Sequence, residues 1–274
     1  MEVIYFLHVQ FSLAMNNYPF LQTPAPVKMP TPLRIGVLLV DSVQLLDLAA
    51  VDLIFMTSPE YIDEIRMPKP LQDLGRPCEI HYIGRDGANA QSPVTSQMSL
   101  RLTDSLTDAA VAPGNLDILY IPGPPPKAMP PHTEYLDFVR KHNTAATTIM
   151  TVCTGILIAA HAGITKGKTA TAPRFLIPRL RKQFPDTKLW DDSVRVAHDG
   201  NLWSSGGVTN GHDLVAAYLR ATYPAPLVNT VLAVADVAPR PLQYQTSTLG
   251  DTIHILFQII RAIPSSITHW LSNK

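Results

Sequence analysis

The chain has 274 residues, 46% hydrophobic and 16% charged, with 22 lysines and arginines against 22 aspartates and glutamates. That length and composition fit one folded domain with a sizeable core and exclude a disordered chain. The charge balance leaves no electrostatic footprint for nucleic acid or an acidic membrane, so neither partner is expected. Its two cysteines, Cys78 and Cys153, form no disulfide framework, no CxxC pair and no metal-ligand spacing. The expectation is a reducing, cytoplasmic setting with no metal and no cofactor.

Residues 1–32 read as a proline-rich N-terminal arm. The stretch from Met1 to Met15 is apolar in places, but Glu2 stands where a signal peptide carries positive charge, and His8 and Gln10 interrupt the run. Residues 19–32 hold five prolines, which favours extended chain. No later stretch reaches the roughly 18 uninterrupted apolar residues of a membrane span.

From residue 33 the pattern becomes regular. Arg34 to Val40 is a short apolar run, as a strand buried on both faces requires. Val43 to Met56 has apolar residues at helical spacing. Cys78 to Ile83 reads as a strand, Thr95 to Leu102 as a strand near a sheet edge, and Leu116 to Ile121 as a buried strand closed by Pro122 and Gly123. Glu134 to His142 is a predicted helix. The β-branched run Thr147 to Val152 is a predicted strand. It gives way at Cys153-Thr154-Gly155 to an apolar helix, Ile156 to Ala162. Pro173 is expected to open a further helix. Asp199-Gly200-Asn201 signals a hairpin between Val194–Ala197 and Leu202–Ser205. Thr209 to Thr222 reads as a long helix, and 246–274 as a helical tail. Alternating strands and helices over 33–245 imply an α/β fold: a single domain with a mainly parallel sheet sandwiched between helices.

Cys153 falls at the carboxyl end of a predicted strand, where open parallel sheets bind ligands, and at the start of a helix. Free N–H groups and the helix dipole there favour an anion, which predicts a lowered cysteine pKa. The N–H groups of Cys153 and Thr154 are candidates for holding an oxyanion. Gly155 removes bulk at the turn. The same spacing also suits a small buried structural cysteine.

TVCTGILIAAHAGITKGKTAT, around Cys153, resembles the nucleophile segment of the ThiJ/PfpI family, in the class I glutamine amidotransferase-like superfamily with its flavodoxin-like sandwich. RIGVLLVDSVQLLDLAAVDLI resembles the family's first strand and helix. LDILYIPGPPP resembles the strand and loop facing the elbow, and LWSSGGVTNGHDLVAAYL the late glycine turn and helix. Together they span Arg34 to about Gln245. The VCTG and LLDLAAVD segments are most similar to the isonitrile hydratase branch. That resemblance implies an acidic residue near the cysteine, matched by Asp47, and a following threonine, matched by Thr154. A carboxyl group beside a thiolate should keep its proton and so can donate it. Asp47 can equally be a helix-start residue. The rival Asp52, five positions on, should face another side.

Two departures from the family pattern matter. Proline occupies the histidine position in Ala170-Thr171-Ala172-Pro173, which excludes a Cys-His dyad from that segment. His161, His198 and His212 remain, with His212 the best placed. Gly123 is followed by Pro124, Pro125 and Pro126, which have no N–H to lend an oxyanion. Gly123 and Gly155 are therefore the expected substrate- or oxyanion-binding glycines, with Gly206 and Gly207 as pocket backbone; the latter pair can instead mark a turn needing positive φ. Arg240 to Tyr244 reads as a loop near the site or a dimer seam, without assigned chemistry. The resulting expectation is a cofactor-free, cysteine-dependent hydratase or lyase for a small electrophilic molecule, with specialised metabolism as its setting, working as a homodimer. The alternatives are a non-enzymatic thiol redox sensor or chaperone-like dimer, in which Cys153 is oxidised to a sulfinic acid, and a ligand-binding regulator.

Overall fold

The computed structural model describes residues 31–125 and 129–272. In chain order its elements are β1 (Leu33–Leu38), the short helices α1 (Leu45–Leu48), α2 (Ala50–Phe55), α3 (Pro59–Glu64) and α4 (Lys69–Gln72), β2 (Cys78–Ile83), β3 (Gln91–Pro93), β4 (Ser99–Arg101) and β5 (Ile118–Ile121). Then come α5 (Thr133–Thr144), β6 (Thr148–Thr151), α6 (Gly155–His161), β7 (Thr169–Ala170), α7 (Ile177–Gln183), β8 (Leu189–Trp190), β9 (Val196–Asp199), β10 (Leu202–Ser205), α8 (Asn210–Thr222), α9 (Ala225–Val234) and α10 (Thr248–Ser272). The central sheet runs β2-β1-β5-β6-β10-β9. All its pairings are parallel except β10 with β9.

The two-residue period of a strand sends successive side chains to opposite faces, and the core divides accordingly. Ile35, Val37, Ile118, Tyr120 and Met150 pack toward α2, α8 and α9. Leu38, Leu119, Ile121 and Ile149 pack toward α5, α6 and α7. Both faces are covered, which is why these strands are apolar throughout rather than alternating. The architecture is the expected α/β sandwich, and it brings the carboxyl ends of β1, β5 and β6 to one edge.

Several element boundaries differ from expectation for identifiable reasons. The first helix starts at Leu45 because the backbone of Val43 is engaged elsewhere: its N–H donates to Pro93 O and its carbonyl accepts from Thr95 N–H. The stretch is also split, with α1 and α2 meeting at Ala49. The edge strand expected over Thr95 to Leu102 shrinks to β4, which pairs with β3 outside the main sheet. Val94 N–H donates to Met98 O, closing a turn with Gln97 at φ +62. Pro173 precedes a single 3-10 turn, Arg174–Leu176, and the regular helix begins at Ile177 with Pro178 in its first turn. The small parallel pair of β7 and β8 and the helix α9 had no counterpart in the sequence reading.

The expected arm lies outside the described residues apart from Thr31 and Pro32, whose carbonyls accept from Arg76 at 2.6 and 3.1 Å. Pro126 also lies outside them. The tail is helical, as α10. Its start is fastened by Thr248 Oγ1 donating to Asp192 Oδ2 at 2.7 Å and by an ion pair between Arg174 and Asp251. Beyond that, Leu249, Ile253, Leu256, Phe257 and Ile260 are each more than half exposed. No helix among the described residues is long and apolar enough to cross a membrane.

Candidate active site

The elbow follows from where the backbone hydrogen bonds go. Val152 N–H donates to Ile121 O, the last rung between β6 and β5, and Gly155 N–H donates back to Val152 O. Between them the chain reverses within two residues, and Cys153 takes φ +56. That is left-handed space a non-glycine residue enters at a cost of about 1–3 kcal/mol, tolerated where neighbours over-determine it. Gly155 lies against Ile121 O so closely that a side chain there has no room. Its role is to let α6 start directly on the sheet.

Asp47 reaches the same spot from α1. It is fully buried, its Oδ2 accepts the Gly123 N–H at 2.8 Å, and its Oδ1 has no hydrogen-bond partner among the described residues. Gln44 N–H donates to Gly123 O, and the hydroxyl of Tyr120 donates to Asp47 O at 2.6 Å. Asp47 is thus pinned from both sides, and its side chain does not cap the helix. Asp52, by contrast, is exposed. Gly123 sits between the two halves of the site. A Cβ on it would come within 2.7 Å of Asp47 Oδ2 and 2.9 Å of Thr154 N. Thr154 Oγ1 donates to Pro124 O at 2.6 Å.

These contacts revise the expected oxyanion donors. The Cys153 N–H donates to Gly206 O at 3.1 Å, and the Gly123 and Gly155 N–H groups are committed to Asp47 and Val152. Gly206 N–H goes to Arg195 O, and Gly207 O accepts from Asn210 N–H. Gly206 and Gly207 do not need positive φ; they carry the loop that meets the elbow. The N–H groups that reach the Cys153 sulfur are those of Thr154 and Val208. Val208 was not foreseen, nor was Tyr120 beneath Asp47. The only sequence signal for Tyr120 is a lone hydroxyl in an otherwise aliphatic run.

The electrostatics also revise an expectation. Burial pushes the Cys153 thiol up to about 11, and the neighbouring Asp47 charge adds to the rise; bonds from Thr154 and Val208 pull the other way. A helix dipole contributes about 0.3–1 kcal/mol to a charge at its end, whereas two pKa units correspond to about 2.7 kcal/mol. Desolvation therefore outweighs the dipole, and the resting cysteine is a thiol. Burial likewise lifts the Asp47 carboxyl to about 7, opposed by the Gly123 N–H. The site holds two acidic groups with Asp47 the more acidic, so near neutrality the one exchangeable negative charge rests on the carboxylate.

The histidines stand apart from this pair. His161 ends α6 with its ring against Phe184 at 5.0 Å. His198 stacks on Trp203 at 3.9 Å, and its Nε2 lies 2.8 Å from Gly200 O. His212 lies partly buried in the first turn of α8, without a hydrogen bond to the elbow. Nearby, a cavity of about 410 Å³ opens at the carboxyl ends of β1 and β2, walled by Asp41, Arg85, Ser92, Pro125 and Tyr135. Cys153 is not in its wall.

A three-layer α/β domain with a cysteine held at positive φ between strand and helix, facing a buried carboxyl group, defines a cysteine-elbow protein. Residues 53–221 match the DJ-1/PfpI family, and the chain belongs to it. The matched segment contains the elbow; Asp47 lies just before it. The chain is similar to an isonitrile hydratase of Pseudomonas putida, 29% identical over 215 residues covering 76% of this chain and 80% of that protein. Among solved structures, a ThiJ/PfpI family protein from Pseudomonas syringae superposes with TM-score 0.63 at 18% identity, covering 91% of this chain and 92% of that one. Drosophila melanogaster DJ-1beta gives TM-score 0.60 at 17% identity, covering 76% of this chain and all of its own.

Proposed function

We propose that this protein is a cofactor-free hydratase of small isonitriles, with Cys153 as nucleophile and Asp47 as the proton carrier. The observation that carries this reading is Asp47: fully buried, bonded through one oxygen to Gly123, with the other oxygen unpartnered among the described residues and the carboxyl near 7. A group balanced between its two protonation states at neutral pH is suited to take a proton and return it. The similarity to the Pseudomonas putida isonitrile hydratase supports the substrate class.

The Asp47 carboxylate removes the thiol proton as Cys153 sulfur bonds to the terminal carbon of the isonitrile. That carbon then takes the proton from Asp47, leaving a thioimidate, R–N=CH–S–Cys. Water adds across the C=N bond, its oxygen on carbon and its proton passing to nitrogen. The C–S bond then breaks, the oxygen gives up its proton to restore the thiol, and an N-substituted formamide leaves. One isonitrile and one water are consumed, without a redox change. The N–H groups of Thr154 and Val208 face the sulfur and offset the charge that develops there. Thr154 adds a second function through Pro124, fixing the loop that places Gly123 against Asp47.

A proton carrier matters here because the resting cysteine is a thiol. A redox sensor needs a low-pKa thiolate, and the raised thiol works against that role. The test is to supply simple alkyl isonitriles, aldehydes and glyoxals in parallel and follow products by NMR. Formamide from the isonitrile alone is expected; consumption of a glyoxal or aldehyde with the isonitrile untouched would overturn the assignment.

A further inference from the structure

The segment after α9 returns to the site and places Tyr244 beside the elbow. The Tyr244 ring lies between two guanidinium groups, Arg174 and Arg195, each 4.4 Å from its centroid. Its N–H donates to Ser193 O at 2.8 Å. Its hydroxyl donates to Asn210 Oδ1 at 3.0 Å and lies where a Cβ on Gly206 would come within 2.6 Å. Asn210 is buried, and each of its groups is engaged. Its N–H donates to Gly207 O at 2.6 Å, and its Nδ2 donates to Asp213 Oδ2 at 2.9 Å. Asp213 in turn receives both Nε and Nη2 of Arg240, at 2.7 and 2.5 Å.

This network meets the reacting group through one turn. Gly206 O accepts the Cys153 N–H, and Val208, two residues on, directs its N–H to the sulfur. The segment Ala172-Pro173, which lacks the family's imidazole, runs alongside, with Ala172 O 3.5 Å from the same Gly206 Cβ position. We propose that Tyr244 is a positioning residue: through Asn210 it fixes the Gly206–Val208 turn and so aims a backbone donor at the Cys153 sulfur. This rests on Cys153 being the reacting group. The cation-stacked ring supplies rigidity and the hydroxyl supplies the aim. Without the hydroxyl, Asn210 Oδ1 becomes a buried acceptor with no donor, and the carboxamide that lies 3.1 Å from the Gly206 Cβ position is released.

The test is the iodoacetamide labelling rate of Cys153 against pH, resolved from Cys78 by peptide mapping. It is run on the full chain, the Tyr244→Phe variant and the Asn210→Ala variant. Phenylalanine keeps the ring between the two arginines, and Asn210→Ala removes the acceptor while leaving Tyr244 in place. Both variants should label Cys153 about tenfold more slowly below the thiol midpoint, the equivalent of one pKa unit, with Cys78 labelling unchanged. A merely structural role would lower the melting temperature without moving that profile. Cys153 rates that stay the same or rise in both variants would overturn the proposal. A wild-type Cys153 that never labels would overturn it together with the assignment of Cys153 as nucleophile.

Discussion

Replacing Asp47→Asn tests the electrostatics without any knowledge of substrate. Asparagine keeps the shape, and its carbonyl oxygen can accept the Gly123 N–H that Asp47 Oδ2 accepts at 2.8 Å. The carboxyl is lifted by burial from its ordinary 3.8 to about 7. The folded state therefore binds a proton that the unfolded state has released, and does so between about pH 4 and 7. Across that window stability falls as pH rises. Roughly three units at about 1.4 kcal/mol each give a loss of about 4 kcal/mol, complete above pH 7. The asparagine variant has no such slope. Urea unfolding at a series of pH values should show the variant gaining about 4 kcal/mol on the wild type between about pH 4 and pH 8, or roughly 10 °C in Tm for a domain of this size. Stability curves that run parallel from pH 4 to pH 8 would refute the placement of a buried, unpartnered carboxyl group beside Cys153.

The same substitution should separate reactivity from turnover. Isonitrile hydration falls by about 10²-fold or more as the proton carrier is lost, while Cys153 alkylation at about pH 8 speeds up because no carboxylate opposes the thiolate; rates are read by product NMR and peptide mapping. Gly123→Ala puts a methyl group within 2.7 Å of Asp47 Oδ2 and 2.9 Å of Thr154 N. It should cost about 1–3 kcal/mol in denaturant unfolding and remove most turnover. Pro173→His should not raise activity, and no single histidine replacement, His212→Ala included, should abolish it. The pH–rate profile should keep an ascending limb near 7, set by Asp47, in every histidine variant and lose it in Asp47→Asn.

What was legible in the sequence was what depends on local periodicity. The runs at Arg34 to Val40, Leu116 to Ile121 and Thr147 to Val152 became β1, β5 and β6 because strands covered on both faces must be apolar throughout. The elbow at Cys153 showed itself as a strand running straight into a helix, with Gly155 where the helix meets the sheet. What stayed hidden is set by tertiary contacts. Val43 leaves its helix to pair with Pro93 and Thr95, which no window around Val43 reveals. The thiol was expected to be acidic from its place at a helix start, but burial decides its pKa, and that burial arises where segments distant in the chain, carrying Asp47, Gly206 and Val208, meet the elbow. Val208 contributes a backbone N–H, so its side chain carries no signal. Tyr244 lies 91 positions from Cys153 in the chain, and its relation to the elbow passes through Asn210 and a turn.

The most direct measurement of covalent chemistry at Cys153 is the intact mass of the protein in acid-quenched reactions with an alkyl isonitrile, followed by peptide mapping. Insertion into the S–H bond adds the whole isonitrile and loses nothing. A transient gain equal to the isonitrile's mass on the Cys153 peptide, absent in Cys153→Ala together with formamide production, is the expected result. Formamide production that persists in Cys153→Ala would contradict it.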